Sequence, residues 1–184
     1  MKKWVKIKSD LVFDSKYFKV RQDLVKLPDG RTKVWNYWDS RDSSMVIGIY
    51  DGKLILIKQY RYLVNNVVLE FPSGGLNPGE NPKTAAKREF LEETGYQCQN
   101  LTKLGSFYET YGQLNRQIHL FFSNNVKKSR KNVSTDDIEE DISVKLLEFD
   151  DVVKSALDNK IVAMGSSLAI LLLKEKISCG EIKI

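Results

Sequence analysis

A single capped helix in the middle of a chain that otherwise favours strands is the feature that most constrains the fold. Asn81 is a suitable N-cap, Pro82 suits the first helical turn, and Gly95 suits the left-handed position after the last turn. These signals predict a helix from about Pro82 to Thr94. Strand-rich blocks lie before and after it, so the chain is expected to combine helices with β-sheet.

Two hairpins are predicted before this helix. A Pro-Asp-Gly turn at residues 28–30 separates two runs of strand-forming residues, and an Asp-Gly turn at 51–52 separates two more. The polar residues 41–44 lie between the two hairpins. We therefore expect residues 1–39 to form a semi-independent antiparallel β segment ahead of a main domain at residues 40–184.

The rest of the chain continues the mixed pattern. A strand-rich block covers residues 101–123, and the polar, charged stretch at 124–141 has the composition of a surface loop. Strand character returns at 142–147, and apolar residues at helical spacing follow from Asp150. With 184 residues, the chain has the length of one globular domain with a small appended element.

Charge and hydropathy exclude several kinds of partner. Lys and Arg number 29 against 24 Asp and Glu, a net charge of +5 that favours anionic ligands. Because the basic residues are scattered, we do not expect a nucleic-acid partner. The longest apolar stretch, residues 161–173, is too short to cross a bilayer, and lysines occupy the N-terminus where a signal peptide would be apolar. We expect a cytoplasmic protein with no membrane partner.

Histidine and cysteine usage excludes a zinc site and a disulfide framework. Cys98 and Cys179 are too few and too far apart in sequence for either, and His119 is the chain's only histidine. His119 lies in an alternating run at residues 117–122, so we predict that it points outward from a strand.

The predicted helix carries an acidic face, because a rotation of about 100° per residue places Glu89, Glu92 and Glu93 on one side. Each like-charge pair opposes the helix by roughly 0.2–0.5 kcal/mol, and carboxylates near a helix C-terminus oppose its dipole by roughly 0.3–1 kcal/mol. A divalent cation would reverse both effects, and an all-oxygen donor set suits Mg²⁺ or Mn²⁺. The alternative is a solvated acidic face. Arg88 either pairs with Glu92 at helical spacing or orients a catalytic carboxylate.

The loop and the helix together contain a spaced set of glycine, glutamate, arginine and apolar residues. The positions are Gly74, Glu80, Arg88, Glu89, Phe90, Glu92, Glu93, Gly95 and Tyr96. Their identities and spacing resemble the signature of the Nudix hydrolases. The resemblance implies an α+β fold, with an α/β/α sandwich around a mixed sheet. It also implies that water attacks a phosphorus of a nucleoside diphosphate derivative whose pyrophosphate is bridged by divalent ions.

The resemblance implies roles for individual residues as well. Glu89 and Glu93 are expected as the principal metal ligands, with Glu92 sharing a metal or holding its water shell. The backbone carbonyl of Ser73 is a further ligand candidate. Arg88, Glu92 and Glu93 are the catalytic candidates of the helix, and Mg²⁺ is the expected cofactor, with Mn²⁺ as the alternative.

Two further stretches of sequence indicate which branch of the family the chain resembles. Lys-Gln-Tyr-Arg at residues 58–61 and Glu-Phe-Pro-Ser-Gly at 70–74 resemble the ADP-ribose pyrophosphatase branch of the family. The branch implies ADP-ribose as substrate, cleaved to AMP and ribose 5-phosphate, with Arg61, Glu70 and Gly74 as candidate substrate-binding residues. It also implies a homodimer in which the N-terminal sheet takes part in the interface.

The same branch tends to place its catalytic base in a loop before the last strand. In this chain that loop holds an acidic run at residues 136–141, within which Glu139 and Glu140 are the candidate bases. An ordinary solvated acidic loop is the alternative for this run.

Tyr111 departs from the branch, which usually has proline at this turn, whereas tyrosine is more typical of dinucleoside polyphosphate hydrolases. Other nucleotide sugars, dinucleoside polyphosphates and triphosphorylated RNA ends are therefore alternative substrates. A non-catalytic nucleotide-binding module is the alternative from another class. The rings of Trp35, Tyr37 and Trp38 are candidates for stacking on adenine, or else they pack the sheet or a dimer.

Overall fold

The computed structural model describes residues 2–16, 18–129 and 142–184. The described ranges combine strands with helices, as expected from the sequence. In these same ranges, the helices are all too short or too polar to cross a bilayer.

The chain divides into two compact units. Met1–Asp42 and Tyr108–Gln117 form the first, which we call the N-terminal unit. Ser43–Phe107 and Ile118–Ile184 form the second, which we call the main unit.

The core of the N-terminal unit is an antiparallel sheet in the order β1-β2-β3. Its strands are β1 (Val5–Asp14), β2 (Lys19–Lys26) and β3 (Thr32–Asp39). The turn between β2 and β3 contains Gly30 at φ 91°, a left-handed conformation that glycine adopts without strain. The separate N-terminal antiparallel sheet expected from the sequence is therefore confirmed.

The segment Tyr108–Gln117 packs along β3. The backbone N–H of Trp38 donates to the carbonyl of Gln113 at 2.8 Å, and Trp38 also bridges to Leu114. The side-chain amide of Asn115 donates to the Asp39 carboxylate at 2.7 Å. These contacts attach a stretch that lies some seventy residues further along the chain.

The elements of the main unit follow in chain order. They are β4 (Ser43–Tyr50), β5 (Lys53–Arg61), β6 (Asn66–Glu70), β7 (Ser73–Gly75), α1 (Pro82–Thr94), β8 (Tyr96–Gln99), β9 (Thr102–Tyr108), β10 (Gln117–Ser123), β11 (Asn125–Lys128), β12 (Ser143–Leu147), α2 (Phe149–Leu157) and α3 (Met164–Ser178). The strand β11 lies inside the stretch predicted as a surface loop, and it pairs with β8 in a separate two-stranded sheet.

The principal sheet is mixed. Its path is β12-β5-β4-β10-β9, with β6 added on β5 and β7 added on β4. β10 runs parallel to β4, whereas β5 and β7 are antiparallel to β4. Sheets of this kind carry helices on both faces.

Alternating side chains of β4 separate the two faces of this sheet. Met45 and Ile47 join a core cluster with residues of α2 and α3, while Val46 joins a second cluster with residues of α1. The helix α1 therefore covers one face, and α2 and α3 cover the other. This arrangement confirms the predicted α/β/α sandwich.

Gly48 allows α1 to lie close to the sheet. A Cβ atom at this position would lie 2.4 Å from a ring carbon of Phe90, which is fully buried. Such a separation is far below van der Waals contact, so any larger residue would push α1 away from β4. The position of the acidic helix therefore depends on a glycine in the neighbouring strand.

Candidate active site

The ends of α1 are fixed as the sequence predicts. The Asn81 side chain accepts a hydrogen bond from the Lys83 N–H at 2.9 Å, and Gly95 adopts φ 73° at the other end. The Gly95 N–H donates to the Leu91 carbonyl at 2.9 Å. Both ends are therefore capped by local contacts, which hold the acidic residues of α1 at defined positions.

The glycine strand β7 provides the space for Glu89. A Cβ atom on Gly74 would lie 2.2 Å from the carboxyl carbon of Glu89, so the carboxylate occupies the volume that any other side chain would need. The Glu89 side chain is 14% exposed. Burial raises the pKa of Glu89, although the hydrogen bond and charge of Arg88 act in the opposite direction.

Glu93 lies one turn further along α1 and also contacts the glycine strand. Its carboxylate accepts a hydrogen bond from the Ser73 N–H at 2.8 Å. Burial raises the pKa of Glu93 to about 8, and the nearby Glu89 and Glu70 carboxylates raise it further against the lowering effect of Ser73 and Arg61. Neighbouring carboxylates that raise the pKa of Glu93 form an arrangement that a bound cation would stabilise.

Arg88 connects the loop before α1 to the carboxylates on the helix. Its guanidinium donates two hydrogen bonds to Glu80, at 3.1 and 2.9 Å, one to Glu89 at 2.7 Å, and one to Glu92 at 3.0 Å. A further bond reaches the Gly75 carbonyl at 3.0 Å. Arg88 therefore pairs with Glu92 and also bonds to Glu89, and its role in orienting a catalytic carboxylate stays a prediction.

Glu80 is a motif position for which the sequence predicted no contact, and in the structure it binds Arg88. Its hydrogen bonds with Arg88 lower the pKa of its carboxyl, and it also accepts from the Asn77 N–H at 2.8 Å. The spacing could have predicted this contact. The seven residues between Glu80 and Arg88 span the distance from the loop to the second turn of α1.

Arg61 and Glu70, two predicted substrate-binding residues, pair with each other. Two guanidinium nitrogens of Arg61 lie 2.8 and 2.7 Å from one carboxylate oxygen of Glu70, which is buried. Just beyond Glu70, the Phe71 N–H donates to the buried hydroxyl of Ser166 on α3 at 3.0 Å. Ser166 thus holds the backbone of Phe71, two residues before the glycine strand begins. Nothing local in the sequence indicated this long-range contact.

The donor set fits a magnesium-type ion only in part. Within residues 2–16, 18–129 and 142–184, no three His, Cys, Asp or Glu side chains are placed to enclose a metal ion together. Mg²⁺ is usually held by one or two carboxylates, with waters and substrate phosphates filling its other positions. The buried oxygens of Glu89 and Glu93 match that chemistry.

The predicted loop base cannot be placed. Glu139 and Glu140 fall within residues 130–141, which lie outside the described part of the chain. Their role as base stays a prediction, and so does the choice between them.

The predicted base-stacking residues all belong to the N-terminal unit. Trp35 packs edge-on against Trp4 at 5.8 Å between ring centroids, and the Lys33 ammonium lies 4.6 Å from the Trp35 centroid. Trp38 is 56% exposed and Tyr111 is 85% exposed. The two exposed rings are available for contact, whereas the face of Trp35 is already engaged by Lys33.

The prediction for His119 is wrong, because the residue is buried. It is 8% exposed, and its Nδ1 lies 2.7 Å from the hydroxyl of Ser106. β10 lies inside the sheet between β4 and β9, and helices cover both faces, so neither side of this strand faces solvent.

Comparisons with known proteins agree with this geometry. Residues 39–164 match the model of the NUDIX domain. A methanol dehydrogenase activator from Bacillus methanolicus is 29% identical over 165 residues, which is 89% of each chain. An ADP-ribose pyrophosphatase from Bacillus subtilis is 28% identical over 171 residues, which is 92% of each chain.

A solved structure supports the fold independently. The crystal structure of an ADP compounds hydrolase superimposes with a TM-score of 0.82 at 21% identity, over 99% of this chain and 98% of that one. The comparisons confirm the predicted resemblance to the ADP-ribose pyrophosphatase branch and the predicted class of enzyme, a pyrophosphohydrolase. Hydrolases of this kind generally use divalent metal ions. The NUDIX domain model matches more than half of the length of this chain, and the chain therefore belongs to the NUDIX family.

Proposed function

We propose that this chain hydrolyses the pyrophosphate bond of ADP-ribose to give AMP and ribose 5-phosphate, with Mg²⁺ or Mn²⁺ as cofactor. The observation that carries the proposal is the pair of largely buried carboxylates, Glu89 and Glu93, held by one helix against a glycine strand. The similarity to an ADP-ribose pyrophosphatase over 92% of the chain supports the choice of substrate.

Glu89 and Glu93 would hold the divalent ion, with Glu92 sharing it or ordering its water shell. The Ser73 carbonyl would add a neutral oxygen beside them. When bound, such an ion neutralises pyrophosphate charge and polarises a phosphoryl oxygen. Arg88 would keep Glu89 and Glu92 in place, a role supported by its hydrogen bonds to both.

The reaction consumes one water molecule. The water oxygen bonds to one phosphorus of ADP-ribose, and the bridging oxygen leaves with the other phosphate, so that two phosphate monoesters result. Glu139 or Glu140 would accept the water proton. Arg61 and Glu70 would contact the substrate beside the pyrophosphate, and the backbone of Gly74 would lie close to it on the glycine strand.

The N-terminal unit would supply substrate selectivity and a dimer contact in a cytoplasmic homodimer. The exposed rings of Trp38 and Tyr111 are candidates for contacting the nucleobase or the terminal ribose, and Trp35 would do so if Lys33 moves aside. Large apolar side chains exposed on the sheet, including Phe13 and Phe18, support a partner subunit on this unit. Light scattering at micromolar concentration would measure the oligomeric state, and a monomer would contradict the dimer.

A second candidate function is activation of another enzyme. It is favoured by the 29% identity to a methanol dehydrogenase activator over 89% of each chain. An activator that does not hydrolyse nucleotides would have no use for the buried carboxylates, so turnover separates the two candidates.

The test is a substrate panel at fixed metal concentration. It contains ADP-ribose, ADP-glucose, UDP-glucose, GDP-mannose, a diadenosine polyphosphate and triphosphorylated RNA, each with Mg²⁺, with Mn²⁺ and with a chelator. We expect metal-dependent release of AMP, with the highest kcat/KM for ADP-ribose. Preference for another compound would overturn the substrate, and no turnover of any compound with either metal would overturn the enzymatic function.

A further inference from the structure

Three polar residues and one glycine line up across four strands of the main unit, with Ser44 and His119 buried and Ser106 and Gly74 half-buried. Ser106 on β9 lies 2.7 Å from His119 on β10, His119 pairs in register with Ser44 on β4, and Ser44 pairs with Gly74 on β7. We call Ser106, His119, Ser44 and Gly74 the polar row. Neighbouring strands lie about 4.8 Å apart, so the row crosses the sheet in steps of that size.

The polar row faces α1. Strand side chains alternate between faces, so Ser44 lies on the same side as Val46, and His119 lies on the same side as Phe121. Val46 and Phe121 both belong to the core cluster that contains Phe90 of α1. The polar row therefore lies beside that cluster, on the face of the sheet that α1 covers.

The row meets α1 at two places. The Ser44 hydroxyl, which is fully buried, donates to the Pro82 carbonyl in the first turn at 2.9 Å. Gly74 provides the space for the Glu89 carboxylate. Pro82 and Glu89 are seven residues apart, about two turns or ~10.5 Å along the helix axis. Two fixed points at that separation set the position of a rigid helix both along and around its axis.

The row is sensitive to substitution because its two central members, Ser44 and His119, are buried. A buried hydroxyl or imidazole that loses its partner keeps the full cost of leaving water, so networks of this kind favour one arrangement over its neighbours. Replacing His119 removes the partner of Ser106 and the side chain beside Ser44. Replacing Ser44 by alanine removes the bond to Pro82 with almost no change in packing volume.

We propose that Ser44 and His119 are positioning residues for the hydrolysis. Through the polar row they hold the first turn of α1 against the sheet, and so determine where the carboxylates of Glu89 and Glu93 lie. This inference rests on the proposed function, since it concerns the same two carboxylates.

The test compares four variants with a matched control. Ser44→Ala and His119→Leu disrupt the row, Ser106→Ala removes the outer partner, and His119→Asn keeps a polar side chain near the same place. Ser123→Ala is the control, because Ser123 is equally buried on β10 but bonds to the Gln99 and Asn125 carbonyls rather than to α1. Its loss should lower Tm without moving the acidic helix.

Two readouts are measured well below each variant's Tm. For Ser44→Ala and His119→Leu we expect kcat for ADP-ribose to fall about tenfold with KM within about twofold. Calorimetric titration with Mn²⁺ alone should show a Kd raised about tenfold, as for other residues that orient metal ligands. Ser106→Ala should show a smaller shift, His119→Asn should recover most of the loss, and Ser123→Ala should match wild type in both.

The inference is overturned if Ser44→Ala and His119→Leu match Ser123→Ala in kcat and in Mn²⁺ Kd. Should His119→Leu fail to fold, Ser44→Ala and Ser106→Ala decide the matter by themselves. Failure of the proposed function is distinguishable, because wild type would then be inactive while the Mn²⁺ titrations of the variants could still be compared.

Discussion

The main unit buries charge, whereas the N-terminal unit exposes aromatic rings. In the first, the Glu89 and Glu93 carboxylates lie under a glycine strand, and burial raises the pKa of both. In the second, Trp38 is 56% exposed, and the ring of Phe18 packs against it at a tilt, with 6.2 Å between ring centroids. Each feature is unfavourable for a chain selected only for stability. The comparison supports our proposal that the two units have separate tasks: ion and phosphate chemistry on α1, and contact with a base or a partner subunit on the N-terminal sheet.

The largest effect is expected from neutralising the buried carboxylate. In Glu93→Gln, kcat for ADP-ribose should fall by about 10³ or more, because a metal-binding charge is lost with almost no change in volume. The Tm of the metal-free protein at neutral pH should stay level or rise, since the substitution removes the cost of keeping Glu93 protonated in the folded state. Steady-state kinetics and thermal denaturation in a chelator measure both. A strong loss of Tm would assign Glu93 to structure instead.

The next largest effect is expected from replacing Gly74, whose missing side chain leaves space for the Glu89 carboxylate. Gly74→Ala places a methyl group where the Glu89 carboxylate lies, so we expect kcat to fall by about 10² while the protein stays folded. Gly75→Ala is the matched control on the same strand, because a Cβ there meets no atom within 4 Å. Equal activity in the two variants would mean that the close approach of Glu89 is not needed for catalysis.

The stability of the metal-free protein should depend on pH through Glu93. Its pKa of about 8 in the folded state exceeds the ordinary value of 4.5, so the folded protein holds a proton that the unfolded chain releases. This contribution is fully present below pH 4.5 and is lost as pH rises towards 8. Urea denaturation in a chelator from pH 5 to pH 9 should therefore show a steeper fall for wild type than for Glu93→Gln. Parallel curves would contradict the raised pKa.

Features that depend on contacts close in sequence could be predicted from the sequence, whereas features that depend on contacts between distant segments could not. The ends of α1 were predictable, because Asn81, Pro82 and Gly95 act within one turn of their own positions. The spacing of Glu89, Glu92 and Glu93 likewise placed them on one face of the helix without any tertiary information.

Long-range pairing accounts for what the sequence did not reveal. The burial of His119 depends on strands on both sides of β10 and on helices over both faces. The strand β11, with two lysines among four residues, is recognisable only by its pairing with β8. The contact of Ser166 with Phe71 joins residues 95 positions apart.

A smaller effect is expected in the N-terminal unit. Trp38→Ala should raise KM for ADP-ribose about tenfold with kcat within about twofold, because stacking on a base contributes roughly 1–3 kcal/mol to binding. Trp38→Phe, which keeps a ring, should recover most of the affinity. A fall in kcat with unchanged KM would place Trp38 outside base recognition.

The smallest effect is a change of preference rather than of rate. Tyr111→Pro should shift the ratio of kcat/KM towards ADP-ribose and away from diadenosine polyphosphates, because the exposed ring is lost and the turn is stiffened. The substrate panel measured on both proteins gives this ratio. An unchanged order of preference would make Tyr111 a turn residue only.

We propose above all that the two largely buried carboxylates on α1, those of Glu89 and Glu93, form the binding site of a divalent ion. Calorimetric titration of the metal-free protein with Mn²⁺, without substrate, tests it most directly. We expect saturable binding by wild type, with a Kd raised at least about tenfold in Glu93→Gln. Equal affinity in the two proteins, or no binding by wild type, would contradict it.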